Sequence, residues 1–335
     1  MSTTLLQPPT TASPRTTITL SQQATHFFAA QRTWLTTLPY PLNRLLPTES
    51  QEKWLAYENV FLACLRTGDN DAAYTALQAL TARFGNDNER VMVLGGLYQE
   101  ATASSQAELE EVMRSYDEIL KEDPTVFALR KRRAALLKSV GKPTEAIGDL
   151  IKMLDASPTD AEAWAELADL YLGQGLYEQA VYCLEEVLLV MANAWNMHAR
   201  LGEVLFLSAG KMEAGSGDKL KTLSESMRRF CRSIELCDDY LRGYYGLKIT
   251  TDRLLEVLDG VKQKPQVAST SDPVTGDLAP PSLAAVKKLS QLATAKLAEI
   301  VRRGSAGEKG WDGYNEAELG AARELLDRDT QKIQR

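Results

Sequence analysis

Between Ala161 and Ala194 the chain sets Trp164, Leu167, Ala168, Tyr171, Ala180 and Leu184 in an ordered series of large and small residues, and the series recurs. Starting 34 residues upstream, at Phe127, the same template places Ala134, Leu137, Ala146, Leu150, Met153 and Pro158 at small, large, small, large, large and terminating positions. Arg133 is a departure there, standing where Leu167 stands in the next copy. A unit this short cannot bury its apolar face alone, so repetition at a fixed period demands neighbours stacked on neighbours. Small residues let two helix backbones approach, and the large ones fill the space beside the crossing.

The pattern is that of the tetratricopeptide repeat (TPR), a hairpin of helices A and B. Further copies are less regular. Upstream, Leu94, Gly95 and Tyr98 make a helix A, with Tyr116, Ile119 and Pro124 on its helix B; earlier still, Trp54, Tyr57, Gly68, Ala73, Leu77 and Leu80 fit a degenerate copy. Downstream, Leu201, Gly202, Ser226, Phe230 and Ser233 fit a copy split by an insertion, and Tyr245 and Gly246 begin another that the pattern never completes. The expected fold is all-α, a right-handed TPR α-solenoid ended by C-terminal helices that cap it or dock on a partner. The expected boundaries are a disordered Thr/Pro-rich tail over 1–20, then an N-terminal helix and connector over 21–50. Ser21 would cap that helix and Pro39 stop it. Repeats over 51–259 follow, with the insertion near 208–219, then a flexible Pro-rich loop over 260–282 and helices over 283–335.

The chain has 335 residues, 44% hydrophobic and 25% charged, enough to bury a large core under a solvated surface. A net charge of −7 argues against bulk nucleic-acid binding, which needs a basic face to neutralise phosphates. The longest apolar stretch, around Val187 to Trp195, is about half of what a bilayer-spanning helix requires. The first 48 residues have no Asp or Glu, a composition that suits a disordered tail and also a mitochondrial presequence. Cys64, Cys183, Cys231 and Cys237 are too scattered for a disulfide framework and fit a reducing compartment.

Reaction chemistry is missing from the pattern. There is no phosphate loop and no dinucleotide fingerprint, so no cofactor is expected. His26 and His198 have no second imidazole or Cys-x-x-Cys nearby, and His198 occupies the helix A position of Trp164, so a packed core group is expected there rather than a metal ligand. Neighbouring carboxylates such as Glu185 and Glu186 point in different directions on a helix and make no acid/base pair. The expectation is a binding protein and not an enzyme.

The sharpest charge feature is Arg130-Lys131-Arg132-Arg133. Helix A positions that commonly line a repeat groove fall on Lys131 and Lys138 in one copy and on Glu162 and Asp169 in the next. These four are the candidate partner-binding residues. The two lysines suit an acidic segment or an anionic surface; a solvated face beside Glu145 and Asp149 explains them equally well. The Lys and Asn pattern with which some TPR domains clamp a chaperone's carboxylate tail is not present.

Beyond the generic repeat, Leu120-Lys-Glu-Asp-Pro-Thr125, Arg130-Lys-Arg132, Gly141-Lys-Pro-Thr-Glu-Ala-Ile147, Glu162-Ala-Trp-Ala-Glu-Leu-Ala-Asp-Leu-Tyr171 and Tyr182-Cys-Leu-Glu-Glu186 resemble the subunit 2 family of the ER membrane protein complex. Upstream, Trp54, Tyr57, Glu58, Val60 and Gly68 are similar to that family's first repeat. The tail, the insertion and the Pro-rich loop have no counterpart in the resemblance, which suits a divergent or fungal-type member. The resemblance implies a non-enzymatic scaffold on the cytosolic face of the endoplasmic reticulum. It would hold the cytosolic parts of membrane subunits and a second soluble subunit while the complex inserts tail-anchored and multi-pass proteins. The alternative is a TPR adaptor or co-chaperone that recruits a chaperone or client.

Overall fold

A computed structural model describes residues 3–6, 8–9, 14–36, 50–213, 216–262, 281–311 and 313–333. Among these, every regular element is helical. A short 3-10 turn, Thr3–Leu6, precedes α1 (Pro14–Thr36), α2 (Gln51–Thr67), α3 (Asn70–Phe84), α4 (Glu89–Thr102), α5 (Gln106–Glu122), α6 (Phe127–Ser139) and α7 (Pro143–Ala156). Then come α8 (Ala161–Gly173), α9 (Tyr177–Val190), α10 (Trp195–Lys211), α11 (Gly217–Leu236), α12 (Leu241–Lys262), α13 (Leu283–Ser305) and α14 (Glu316–Ile333). Two compact units divide the chain, residues 1–149 and 150–335.

Turn chemistry sets the hairpins. In the first unit Gly68 ends α2 with φ 79°, and the Asp69 carboxylate accepts from Ala72 N–H at 3.1 Å to start α3. That puts a left-handed C-cap and an N-cap in adjacent residues. Gly141 and Gly175, one repeat apart, take φ 78° and 74° in the α6–α7 and α8–α9 turns. Asp160 caps α8 by accepting from Ala163 N–H at 2.9 Å.

A second tie recurs at the repeat period with four different donors. Arg130 Nη2 donates to the Pro124 carbonyl at 3.2 Å, Trp164 Nε1 to Pro158 at 2.8 Å, and Tyr244 Oη to Asp238 at 2.9 Å. His198 Nε2 lies 3.0 Å from the Ala192 carbonyl. In each case the side chain reaches back six residues and fastens the turn entering its own helix A. The position therefore selects a side chain of sufficient reach with an N–H or O–H at its tip, not an aromatic ring as such. Because a carbonyl only accepts, His198 carries its proton on Nε2, and its buried Nδ1 has no partner among the described residues.

Burial, helped by the Arg229 and Arg232 charges and opposed by the Ala192 bond, pulls the His198 pKa below the ordinary histidine value. The neutral ring is thus the folded form. The unfolded chain takes up a proton near the usual value of about 6.5, while the folded chain resists until lower pH. This contribution to stability is complete above that unfolded value and is lost as pH falls below it, down to the depressed folded value. Urea titrations across that window should show the parent weakening more steeply than His198→Gln. Parallel curves for the two proteins would show that His198 does not titrate with unfolding.

Three findings correct the boundaries read from the sequence. The first helix starts at Pro14 and not at Ser21; Ser21 is an interior, buried residue whose hydroxyl accepts from Thr67 Oγ1 at 2.7 Å. Pro at the first helical turn needs no N–H partner, which favours the earlier start. The sequence insertion lengthens helices rather than only a loop, for α10 has 17 residues and α11 has 20, against 13 and 14 in α8 and α9. Finally, Gly96 and not Gly95 is the close-approach residue of α4: a Cβ on Gly96 would collide with the Tyr116 ring, whereas one on Gly95 would meet open space. The expected loop at 260–282 falls mostly outside the described residues, as does the connector before Ser50.

The first unit buries Phe27, Tyr57, Val60, Phe61, Leu77 and Leu80 in one cluster and Val112, Tyr116, Leu129 and Leu136 in another. In the second unit Phe230 of α11 is wedged between Gly202 of α10, whose Cβ position lies 3.0 Å from the ring, and Gly246 of α12. Ser226 Oγ bonds the Gly202 carbonyl at 2.6 Å beside it. Helix α13 packs on α12 with Val286, Ala293, Leu297 and Ile300 fully buried, so it supplies the helix B that the sixth pattern leaves open. Lys248, Asp252 and Ser290 pin that contact through bonds of 2.7, 2.7, 3.1 and 3.4 Å. Helix α14 packs in turn on α13, burying Leu319 and Ala322.

Candidate partner-binding groove

In the second unit α8, α10, α12 and α14 line a groove of about 680 Å³. Its apolar surface comes from Ala165, Met197, Phe206, Tyr245 and Ile249, with Phe230 reaching it from α11. Its charges are arranged in closed sets. Arg200 donates to Asp169 at 2.6 and 3.1 Å and to Glu203 at 2.7 Å; Arg242 donates to Glu318 of α14 at 2.6 and 2.9 Å. Partial burial works against the Arg200 charge, but the Asp169 and Glu203 bonds outweigh it and raise its pKa. Half-exposed pairs of this kind contribute little to stability individually. Their effect here is positional: they tie α8 to α10 and α12 to α14, and leave a neutral, largely aromatic floor. Tyr314 Oη donates to the Asp239 carbonyl at 2.8 Å and holds the entry to α14 in place.

The sequence candidates separate against this geometry. Asp169 lines the groove through its pair with Arg200, whereas Glu162 is exposed on the first turn of α8 and is not part of the lining. Lys131 and Lys138 belong to α6 in the other unit, half-buried and exposed respectively. The arginines flanking Lys131 are used internally. Arg132 Nε donates to Glu100 at 2.7 Å, and Tyr116 Oη donates to the same Glu100 oxygen at 2.7 Å; Glu100 is 8% exposed. Arg133 donates to Asp117 at 2.7 Å and also pairs with Asp149. Its departure from the apolar template is therefore a polar replacement for one packing contact.

Of the expected packing residues, Leu167, Ala168, Ala180 and Leu184 are buried, but Trp164 and Tyr171 are only half-buried. Trp164 meets Tyr182 edge-on, ring centres 5.9 Å apart, on the side of α8 away from the groove. Glu203 was accessible to register arithmetic, since it lies 34 residues beyond Asp169. Glu318 was not, because α14 reaches the groove from outside the repeat pattern. Among the described residues no cluster of His, Cys, Asp and Glu suits a metal ion, and no helix is long and apolar enough to cross a membrane.

Comparison with known proteins agrees with the hairpin architecture. Residues 93–213 match the EMC2 TPR-like repeat domain. The chain is 35% identical to TPR repeat protein oca3 of Schizosaccharomyces pombe over 73% of its own length and 82% of that protein. It is 34% identical to ER membrane protein complex subunit 2-A of Xenopus laevis over 59% of its length and 62% of that protein, so the match spans less than two thirds of the frog relative. ER membrane protein complex subunit 2 of Saccharomyces cerevisiae is 23% identical over 62% of this chain and 72% of the yeast protein. With the repeat register, the fourteen described helices and these matches in agreement, this chain belongs to the ER membrane protein complex subunit 2 family of TPR-like repeat proteins.

Proposed function

We propose that the chain is a non-enzymatic scaffold subunit of an ER membrane protein complex, held at the cytosolic face of the membrane by its partners. It supports insertion of tail-anchored and multi-pass proteins by organising the subunits that perform it. The observation that carries this reading is the groove of the second unit: an open, aromatic-floored surface whose charges are already paired. Such a surface suits an extended protein segment, where affinity comes from apolar contact and backbone bonding rather than one strong charge. Nothing in the arrangement supplies a nucleophile with an adjacent base, so the groove is read as a binding surface and not a reaction centre.

The test is affinity purification of the tagged full chain from detergent-solubilised membranes, beside Ala321→Arg. Ala321 lines the groove from an exposed position on α14, and arginine retains good helix propensity, so the variant should fold while its side chain obstructs the groove. The parent should bring down a fixed set of multi-pass proteins and the variant about tenfold less. Equal recovery by the two would remove the groove from the interface. Recovery of a chaperone in place of membrane proteins, abolished by deleting that chaperone's acidic tail, would favour the adaptor reading instead.

A further inference from the structure

On the other side of α8 a second cleft, of about 700 Å³, opens among α7, α8 and α9. Trp164, Tyr171 and Tyr182 line it with Ile151 and Leu154, and Asp155 and Glu178 stand on its wall. The Trp164 ring is fixed, because its N–H is committed to the Pro158 carbonyl and its flank to Tyr182 at an interplanar angle of 80°. Two ring faces therefore meet at a near right-angled corner, and Tyr182 is 56% exposed. Ile151, 41% exposed, extends the apolar side.

The electrostatics of this cleft are the reverse of the groove's. No Lys or Arg lines it, and neither Asp155 nor Glu178 has an ion-pair partner among the described residues. Lys152, one turn before Asp155, does not reach the lining. Glu186 adds a third carboxylate beside Tyr182 and pushes that phenol's pKa up. Asp155 also sits in the last turn of α7, where the helix macrodipole disfavours a negative charge. A cation placed there would answer both the dipole and the carboxylates, and the aromatic faces attract a cation further.

From these observations we infer that the cleft is a docking site for a basic, apolar segment of a partner protein, with a Lys or Arg side chain in the Trp164–Tyr182 corner and an aliphatic neighbour against Ile151. The site is separate from the groove of the proposed function and stands or falls independently of it. The experiment is fluorescence-polarisation binding of the full chain to a short peptide alternating lysine and leucine. A glutamate and leucine peptide, and phosphatidylcholine vesicles, are the comparison probes. Tyr182→Ala and Glu178→Lys alter exposed positions and should leave the helical circular dichroism unchanged. The expected result is binding of the basic peptide alone, weakened about tenfold by either substitution and by raised salt, and unaffected by Ala321→Arg. The inference is overturned if the acidic peptide binds equally, if neither substitution changes affinity, or if the vesicles bind through Tyr182 and the peptide does not.

Discussion

Replacing Gly246 by alanine is expected to destabilise the second unit by about 2 kcal/mol, in spite of the usual benefit of alanine in a helix. The benefit is about 1 kcal/mol, whereas forcing a methyl into a filled contact costs about 3 kcal/mol where the neighbour cannot retreat. Phe230 cannot retreat, because Gly202 closes on its opposite side at 3.0 Å. Phe230→Ala removes a 3% exposed ring and should cost about 4 kcal/mol by itself. The informative variant is the double substitution. With the ring gone, the Gly246 methyl enters space instead of a collision, so the double should be no less stable than Phe230→Ala alone. Urea denaturation with hydrogen exchange resolved over α10 to α12 checks this. Strictly additive losses would show that Gly246 and Phe230 are not in contact.

The second large effect belongs to Glu100 in the first unit. This carboxylate accepts from both Arg132 and Tyr116, and it lies beside Gly96, where α4 and α5 are closest. Glu100→Ala strands a largely desolvated guanidinium and a phenol that is 2% exposed, at an expected cost of about 3 kcal/mol. Removing both charges is a different matter. Glu100→Leu with Arg132→Met supplies apolar volume where the pair stood and should recover most of the loss. Glu100→Ala stability equal to the parent would place the pair in solvent, contrary to its burial. Failure of the double variant to recover would assign the pair a specific structural role beyond charge compensation.

The repeat register was legible because the period is imposed by helix geometry, and each copy must present small and large residues to its neighbours in the same order. Family membership followed from residues exceeding that minimum, between Leu120 and Glu186. Arg132 and Arg133 were not legible as internal ties, since their partners Glu100 and Asp117 come from earlier helices at separations that no helix period relates. Trp164 and His198 illustrate a related limit. The register aligned them, but only the carbonyls six residues behind show that a donor, rather than ring volume, is what the position requires.

The sequence by itself determined that this chain is a series of helical hairpins, where the turns lie, and that catalytic chemistry has no recognisable motif in it. Those properties are local or periodic, and so are written within a window of one repeat. The tertiary structure alone decided which charges are consumed and which remain available. In the groove Asp169, Glu203 and Glu318 find Arg200 and Arg242, while across α8 Asp155 and Glu178 find none. Ion pairing depends on distances between helices far apart in sequence, and α14, outside the repeat pattern, completes one of the sets. The 34-residue period dictates which face of a helix a residue occupies, but what that face meets is settled only when the helices stack.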